Sequence, residues 1–93
     1  MRSDHSKQRG EEGRPVQVAF NDAKSAKPSD IFVQPDGRYV VRGPRAREHI
    51  FEKTGELVTS LVRAKKLHQR KVRAGTRTQV TAEQLAAFRE AIK

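Results

Sequence analysis

The sequence predicts an α+β fold: a small antiparallel β-meander of about four strands packed with an amphipathic C-terminal helix, plus a basic helix or loop between them. Three observations lead to this prediction. Apolar, β-branched runs alternate with tight-turn residues from residue 31 onward, and a helix-capping pattern precedes an apolar stripe at the C-terminus. Between these two regions lies a cationic stretch without a single acid.

The strands are indicated first by "IFVQPDGRYVV", in which two apolar runs flank Pro35-Asp36-Gly37. Proline presets φ for a turn and glycine accepts the positive φ of a tight reversal, so these runs predict a β-hairpin. Further reversals follow at "RGPRA" and "KTG". The four expected strands cover residues 31–34, 39–42, 47–52 and 56–62.

The C-terminal helix has a clear start signal. Thr81 is a favourable N-cap, and Gln84 three residues later completes a capping box. Leu85, Phe88 and Ile92 then recur at helical spacing and form one apolar face. We expect this stripe to pack on the sheet.

The acid-free stretch is "SLVRAKKLHQRKVRAGTRTQV", residues 60–80. Residues 64–74 are rich in strong helix formers, and Gly75 suits the position after a helix end. We predict a short exposed helix, with a long irregular basic loop as the alternative. The stretch carries seven cations: Arg63, Lys65, Lys66, Arg70, Lys71, Arg73 and Arg77.

The chain of 93 residues fits one small domain preceded by a tail. Residues 1–28 are polar and are predicted to be a disordered or weakly ordered basic tail and linker, whereas 29–93 form the single α+β domain. Within the tail, residues 1–14 are expected to be disordered. The alternating run "VQVAF" at 16–20 predicts an edge strand, and "NDAKSAKPSD" a linker.

Composition argues against several functional classes. The chain has no cysteine, and His5, His49 and His68 lack the spacing of metal ligands, so neither a metal nor a cofactor is expected. No apolar run approaches the roughly 20 residues that span a bilayer, and the N-terminus lacks the apolar core of a secretory signal. A cytoplasmic location is therefore expected.

The charge predicts a polyanionic partner. The net charge is +9 and the isoelectric point is near 10.7. Because clustered cations gain by releasing the counterions of phosphates, we expect a nucleic-acid-binding module, with RNA slightly favoured over DNA. The expected phosphate contacts are Arg63, Lys65, Lys66, Arg70, Lys71, Arg73, Arg77, Arg42 and Arg45.

Two alternatives remain open at the level of sequence. One is a small, metal-independent ribonuclease of the toxin type, with His49 and His68 as acid and base and Arg63 on the phosphate. The other is a small regulator that binds an acidic protein partner. Catalysis is the less favoured reading, because histidines outside a recognisable motif are usually structural or surface residues.

Overall fold

We describe residues 14–93 in a computed structural model of the chain. Residues 1–13, which include most of the segment expected to be disordered, lie outside the described residues. The elements, in chain order, are α1 (Arg14–Ser25), β1 (Ile31–Val33), β2 (Tyr39–Arg42), β3 (Arg47–Phe51), β4 (Leu57–Val62), α2 (Lys65–Arg73), β5 (Thr78–Gln79) and α3 (Ala82–Ala91), with short 3-10 turns at Pro28–Asp30 and Pro44–Ala46.

The predicted α+β fold is confirmed. One antiparallel sheet has the strand order β4-β3-β2-β1-β5, and its first four strands coincide with the four expected from the sequence. The fifth strand, β5, was not predicted. It is two residues long and pairs with β1, so that Phe32 lies opposite Gln79.

The segment before the sheet differs from the sequence interpretation. The edge strand predicted for 16–20 is wrong, because these residues lie in α1. The first half of the linker predicted for 21–30 also belongs to α1, which ends at Ser25. Ala19 and Ala23 are fully buried, and Phe20 packs edge-on against Phe51 with ring centroids 5.3 Å apart. Small residues at helical spacing therefore let α1 lie close on the sheet.

The apolar core lies between one face of the sheet and the helices α1 and α3. On this face Tyr39 and Phe51 pack around Phe88 of α3, with ring centroids 4.7 Å and 5.3 Å from it. Cross-strand partners share a face, so His49, which pairs with Val41, also lies on this side. The adjacent residue Glu48 consequently lies on the opposite face.

The opposite face is covered by α2. This helix confirms the basic helix predicted for 64–74, and its end explains Gly75, which has a φ of +82°. The Gly75 amide donates to Val72 and the Thr76 amide to Lys71, which is the bond pattern of a Schellman motif. The buried side chain of His68 anchors α2, because its ring meets the Phe32 ring with centroids 4.6 Å apart.

The C-terminal helix α3 follows the sequence prediction. The Thr81 hydroxyl accepts from the Gln84 amide at 3.1 Å, and the Gln84 side chain accepts from the Thr81 amide at 2.9 Å. Both bonds of the capping box are thus present. Phe88 is fully buried and Ile92 nearly so, which places the predicted stripe in the core.

Candidate functional site

A buried carboxylate organises the face of the sheet beneath α2. Glu48 has no exposed surface and receives bonds from three arginines. Arg77 donates to its two oxygens at 2.8 Å and 2.6 Å, Arg63 at 3.0 Å, and Arg42 at 3.1 Å. Burial by itself would raise the pKa of Glu48, but the hydrogen bonds and charges of Arg77 and Arg63 outweigh it and hold that pKa below its usual value.

His68 belongs to the same cluster. Arg77 donates to its Nδ1 at 2.9 Å, and because a guanidinium can only donate, this nitrogen acts as an acceptor and the ring is neutral. Burial lowers the pKa of His68, and the charges of Arg42 and Arg77 lower it further. The cluster contains three arginines and one carboxylate, so it carries an excess of positive charge.

Three of the predicted phosphate contacts are therefore engaged elsewhere. Arg77 was predicted to contact phosphate, but it is buried with 2% of its surface exposed and is bound to Glu48. The side chains of Arg42 and Arg63 are 11% and 26% exposed and are oriented by Glu48. No acid lies between residues 57 and 82 of the sequence, but Glu48 reaches both Arg63 and Arg77 from β3.

The remaining predicted cations lie at the surface. Lys65, Lys66, Arg70 and Arg73 are exposed on α2, and Lys71 is partly exposed. None of these five forms an ion pair with any other residue in the range 14–93. Arg45 is also exposed, in the turn between β2 and β3, where it adopts a φ of +60°.

A groove of about 1010 Å³ lies beside α2. We call it the basic groove, defined by Lys27, Arg42, Lys65, His68 and Arg73 together with the apolar side chains Phe32, Pro44 and Val72. Its walls are α2, the segment that joins α1 to β1, and the turn between β2 and β3. Asp22 and Asp30 also line it, but Asp22 is already paired with Arg47 at 2.9 Å.

A second polar network joins α1 to the sheet. His49 Nε2 donates to Asp22 at 2.7 Å, and its Nδ1 lies 2.8 Å from the Ser60 hydroxyl. Burial would raise the pKa of Asp22, but its hydrogen bonds with Arg47 and His49 outweigh burial and lower it. A side chain at position 43 would overlap the Asp22 carboxylate, so this docking requires glycine there.

The two histidines proposed as a catalytic pair do not meet. His49 is 1% exposed and faces α1, whereas His68 is 8% exposed and lies under α2 on the other side of the sheet. Arg63, the predicted phosphate ligand, lies in the cluster with His68. The arrangement therefore separates the expected acid from the expected base.

Within residues 14–93, no group of three or more His, Asp or Glu side chains is arranged to hold a metal ion. The helices of this part of the chain are all too short or too polar to cross a bilayer. No protein-family model, curated protein sequence or solved structure matches this chain. Inferences about function therefore rest on the geometry and charge described above.

Proposed function

We propose that the protein is a nucleic-acid-binding module in which the exposed cations of α2 and the adjoining basic groove contact phosphates. The observation that carries this proposal is a set of cations on α2 that pair with no acid among residues 14–93: Lys65, Lys66, Arg70, Lys71 and Arg73. Like charges three and four residues apart on a helix repel, and phosphates would relieve that repulsion while releasing counterions.

The buried cluster supports the same proposal indirectly. Glu48 neutralises only one of the three arginines bound to it, so positive charge persists beneath α2 and at the floor of the basic groove, where Arg42 lies. Four cations line the groove against two acids, Asp22 and Asp30, so its field favours anions. The cluster thus reinforces the field of the exposed cations, and two of its members, Arg42 and His68, also line the basic groove.

The composition of the basic groove favours a single-stranded nucleic acid as the ligand. Phe32 and Val72 supply apolar surface between cations, and Phe32 is partly exposed. Bases that are unstacked, as in RNA loops and single strands, pack on such surfaces while their phosphates meet lysine and arginine. A duplex would present only its phosphates and would use α2 alone.

The test compares two double variants that each remove two exposed cations. Lys66→Ala with Arg70→Ala removes charge from α2, whereas Lys53→Ala with Lys93→Ala removes it from the turn between β3 and β4 and from the C-terminus, outside α2 and the basic groove. Binding of a single-stranded RNA and of a duplex is measured by fluorescence anisotropy at several salt concentrations.

If the five cations of α2 meet phosphates, the logarithm of the wild-type affinity should fall with that of salt at a slope of roughly −3.5 on single strands or −4.5 on duplex. The α2 variant should reduce the slope by about 1.4 to 1.8, for all sequences alike, since phosphate contacts carry no sequence information. Equal effects of the two double variants would refute the proposed interface.

A second candidate function is binding of an acidic protein partner through α2. Leu67 and Val72 of α2 are 44% and 36% exposed and alternate with the cations. An acidic amphipathic segment would match this mixture of apolar and basic side chains. Leu67→Ser distinguishes the two functions, because it should weaken binding to such a peptide and leave binding to RNA unchanged.

A further inference from the structure

Two side chains of the Glu48 cluster, Arg42 and His68, also form part of the basic groove. They are joined through Glu48 and Arg77. Arg42 and Arg77 donate to the same oxygen of Glu48, at 3.1 Å and 2.8 Å, and Arg77 also donates to His68 at 2.9 Å. These hydrogen bonds hold the Arg42 guanidinium and the His68 ring next to each other at the floor of the groove.

Arg42 uses only its Nη1 within the cluster. This nitrogen donates to Glu48 at 3.1 Å and to the Arg63 carbonyl at 2.9 Å, whereas Nε and Nη2 have no partner among residues 14–93. Neither of these two nitrogens is enclosed by protein, because Arg77 Nε is the only buried side-chain nitrogen or oxygen in that range that lacks a partner. The N–H groups on Nε and Nη2 are therefore available to a ligand.

His68 provides one further donor. Its Nδ1 accepts from Arg77 and its ring is neutral, so the ring proton lies on Nε2. The residue is only 8% exposed, yet Nε2 has no partner among residues 14–93 and, like the free nitrogens of Arg42, it is not enclosed. Nearly buried polar groups almost always have a hydrogen-bond partner, so an unpaired N–H beside a cationic guanidinium indicates a place where a ligand accepts.

The charge of the cluster matches a phosphate monoester. Arg42, Arg63 and Arg77 carry three positive charges and Glu48 carries one negative charge, so two positive charges are left over. A phosphate monoester carries about −1.5 to −2 charges at pH 7 and has three acceptor oxygens. A phosphodiester within a strand carries only a single charge. The match therefore favours a monoester, which is the form that phosphate takes at the end of a nucleic-acid strand.

The position of the donors also favours the end of a strand. The Arg42 side chain is 11% exposed and His68 is 8% exposed, so a phosphate must enter the groove to reach them. The strand continues on both sides of an internal phosphate, and both continuations would have to leave the groove, whereas a terminal phosphate has only one. Phe32 is partly exposed, and its ring centroid lies 4.6 Å from that of His68, where it can pack on the neighbouring base.

We propose that the basic groove holds the terminal phosphate of a single-stranded nucleic acid, with Arg42 and His68 as donors and Phe32 against the adjacent base. This inference rests on the proposed function and specifies which part of the strand the groove binds. Three cations of α2 do not line the groove and stay available to the internal phosphates of the same strand, namely Lys66, Arg70 and Lys71.

The first experiment compares RNA strands that carry the same number of phosphates. A strand of about 8 nucleotides with a terminal phosphate, at its 5′ or its 3′ end, is matched by a strand one nucleotide longer that ends in hydroxyls. Each strand competes with the same labelled strand in fluorescence anisotropy. One phosphorylated strand should bind at least about tenfold tighter, the low end of what a hydrogen bond to a charged group contributes. Equal affinities would overturn this inference and leave the proposed function standing, whereas no binding of any strand would overturn both.

The second experiment uses Arg42→Lys, which keeps the positive charge and a donor for Glu48 but lacks the free guanidinium N–H groups. This variant should bind the phosphorylated strand at least about fivefold more weakly than wild type does and the unphosphorylated strand equally well. Arg38→Lys is the matched control, because Arg38 pairs with Glu52 and does not line the groove, and it should keep the preference of wild type. An undiminished preference in Arg42→Lys, or the same loss in both variants, would contradict the site. If Arg42→Lys does not fold, the comparison of strands on wild type decides the inference.

Discussion

At the scale of single residues, Glu48 determines how the cations of this protein are divided. It binds three arginines from three different parts of the chain, namely Arg42, Arg63 and Arg77, and leaves the cations of α2 exposed. A buried charge is tolerated only where partners compensate for its lost hydration, and four hydrogen bonds do so here. The cluster is therefore built into the fold, and only Arg42 and His68 of its members also line the basic groove.

Glu48→Gln should destabilise the protein by about 3 kcal/mol or more, the usual cost of breaking a buried ion pair. The substitution removes the carboxylate that, among residues 14–93, is the only acid paired with these three arginines, and it turns an amide nitrogen, itself a donor, toward guanidinium donors. Urea unfolding followed by circular dichroism measures the change.

Glu52→Gln provides the matched control for that experiment. Glu52 pairs with Arg38 at 3.1 Å, but both side chains are about two-fifths exposed. A solvent-exposed pair contributes little, so the control should change the free energy of unfolding by less than about 1 kcal/mol. Glu48→Gln with an equally small effect would show that the cluster does not stabilise the fold.

The lowered pKa of His68 predicts a pH dependence of stability. The folded protein binds a proton at His68 less readily than the unfolded chain, whose histidine titrates near 6.5. Below pH 6.5 the unfolded state therefore takes up more protons, and the free energy of unfolding should fall as the pH decreases. At still lower pH, protonation of Glu48 and Asp22, whose pKa values are also lowered, should reduce stability further.

His68→Gln separates the histidine from the carboxylates, because glutamine can accept from Arg77 but does not titrate. Just below pH 6.5, the free energy of unfolding of this variant should depend less on pH than that of wild type. At more acid pH, the free energies of both proteins should fall in parallel. Parallel curves over the whole range would show that His68 does not contribute. Urea titrations at a series of pH values provide the measurement.

At the scale of elements, the sequence predicts the helices, strands and turns that have local signals. It does not predict an element that forms only through contacts with distant parts of the chain. The hairpin around Pro35-Asp36-Gly37, the capping box of α3 and the Gly75 end of α2 are local, and all three were predicted correctly. β5 has no local signal, because its two residues are a strand only through their pairing with β1.

The helix α1 was missed for a different reason. Val16 and Val18 suggested the alternation of a strand, yet Val16, Ala19, Phe20 and Ala23 also follow helical spacing, with Pro15 near the start where proline is favoured. Alanine gives a weak hydrophobic signal but permits close packing on a sheet. Over ten residues rather than five, the apolar residues fit helical spacing better than the alternation of a strand.

For the candidate site, local spacing predicts which cations of α2 are exposed but not which arginines bind Glu48. Helical spacing shows that Lys66, Arg70 and Arg73 lie on one side of α2, and the structure agrees that all three are exposed. Arg63 and Arg77 instead donate hydrogen bonds to Glu48, from which they are separated by 15 and 29 residues of sequence. Such distant pairing has no signal in a single sequence.

At the scale of the whole molecule, the net charge of +9 exceeds the charge carried by α2 alone. Cations anywhere on the surface add to the long-range field that attracts a polyanion, whereas only cations in contact with phosphates release counterions. The proposed interface therefore predicts different effects of charge added on α2 and of charge added elsewhere.

Gln69→Lys adds a positive charge at an exposed position of α2, and Ala86→Lys adds the same charge at an exposed position of α3. If α2 contacts phosphates, Gln69→Lys should steepen the salt dependence of binding to a single strand by up to about 0.7, the value of one further phosphate contact. Ala86→Lys should leave that slope unchanged. Fluorescence anisotropy at several salt concentrations measures both slopes. Equal steepening by the two variants would mean that affinity follows the net charge of the protein rather than the cations of α2.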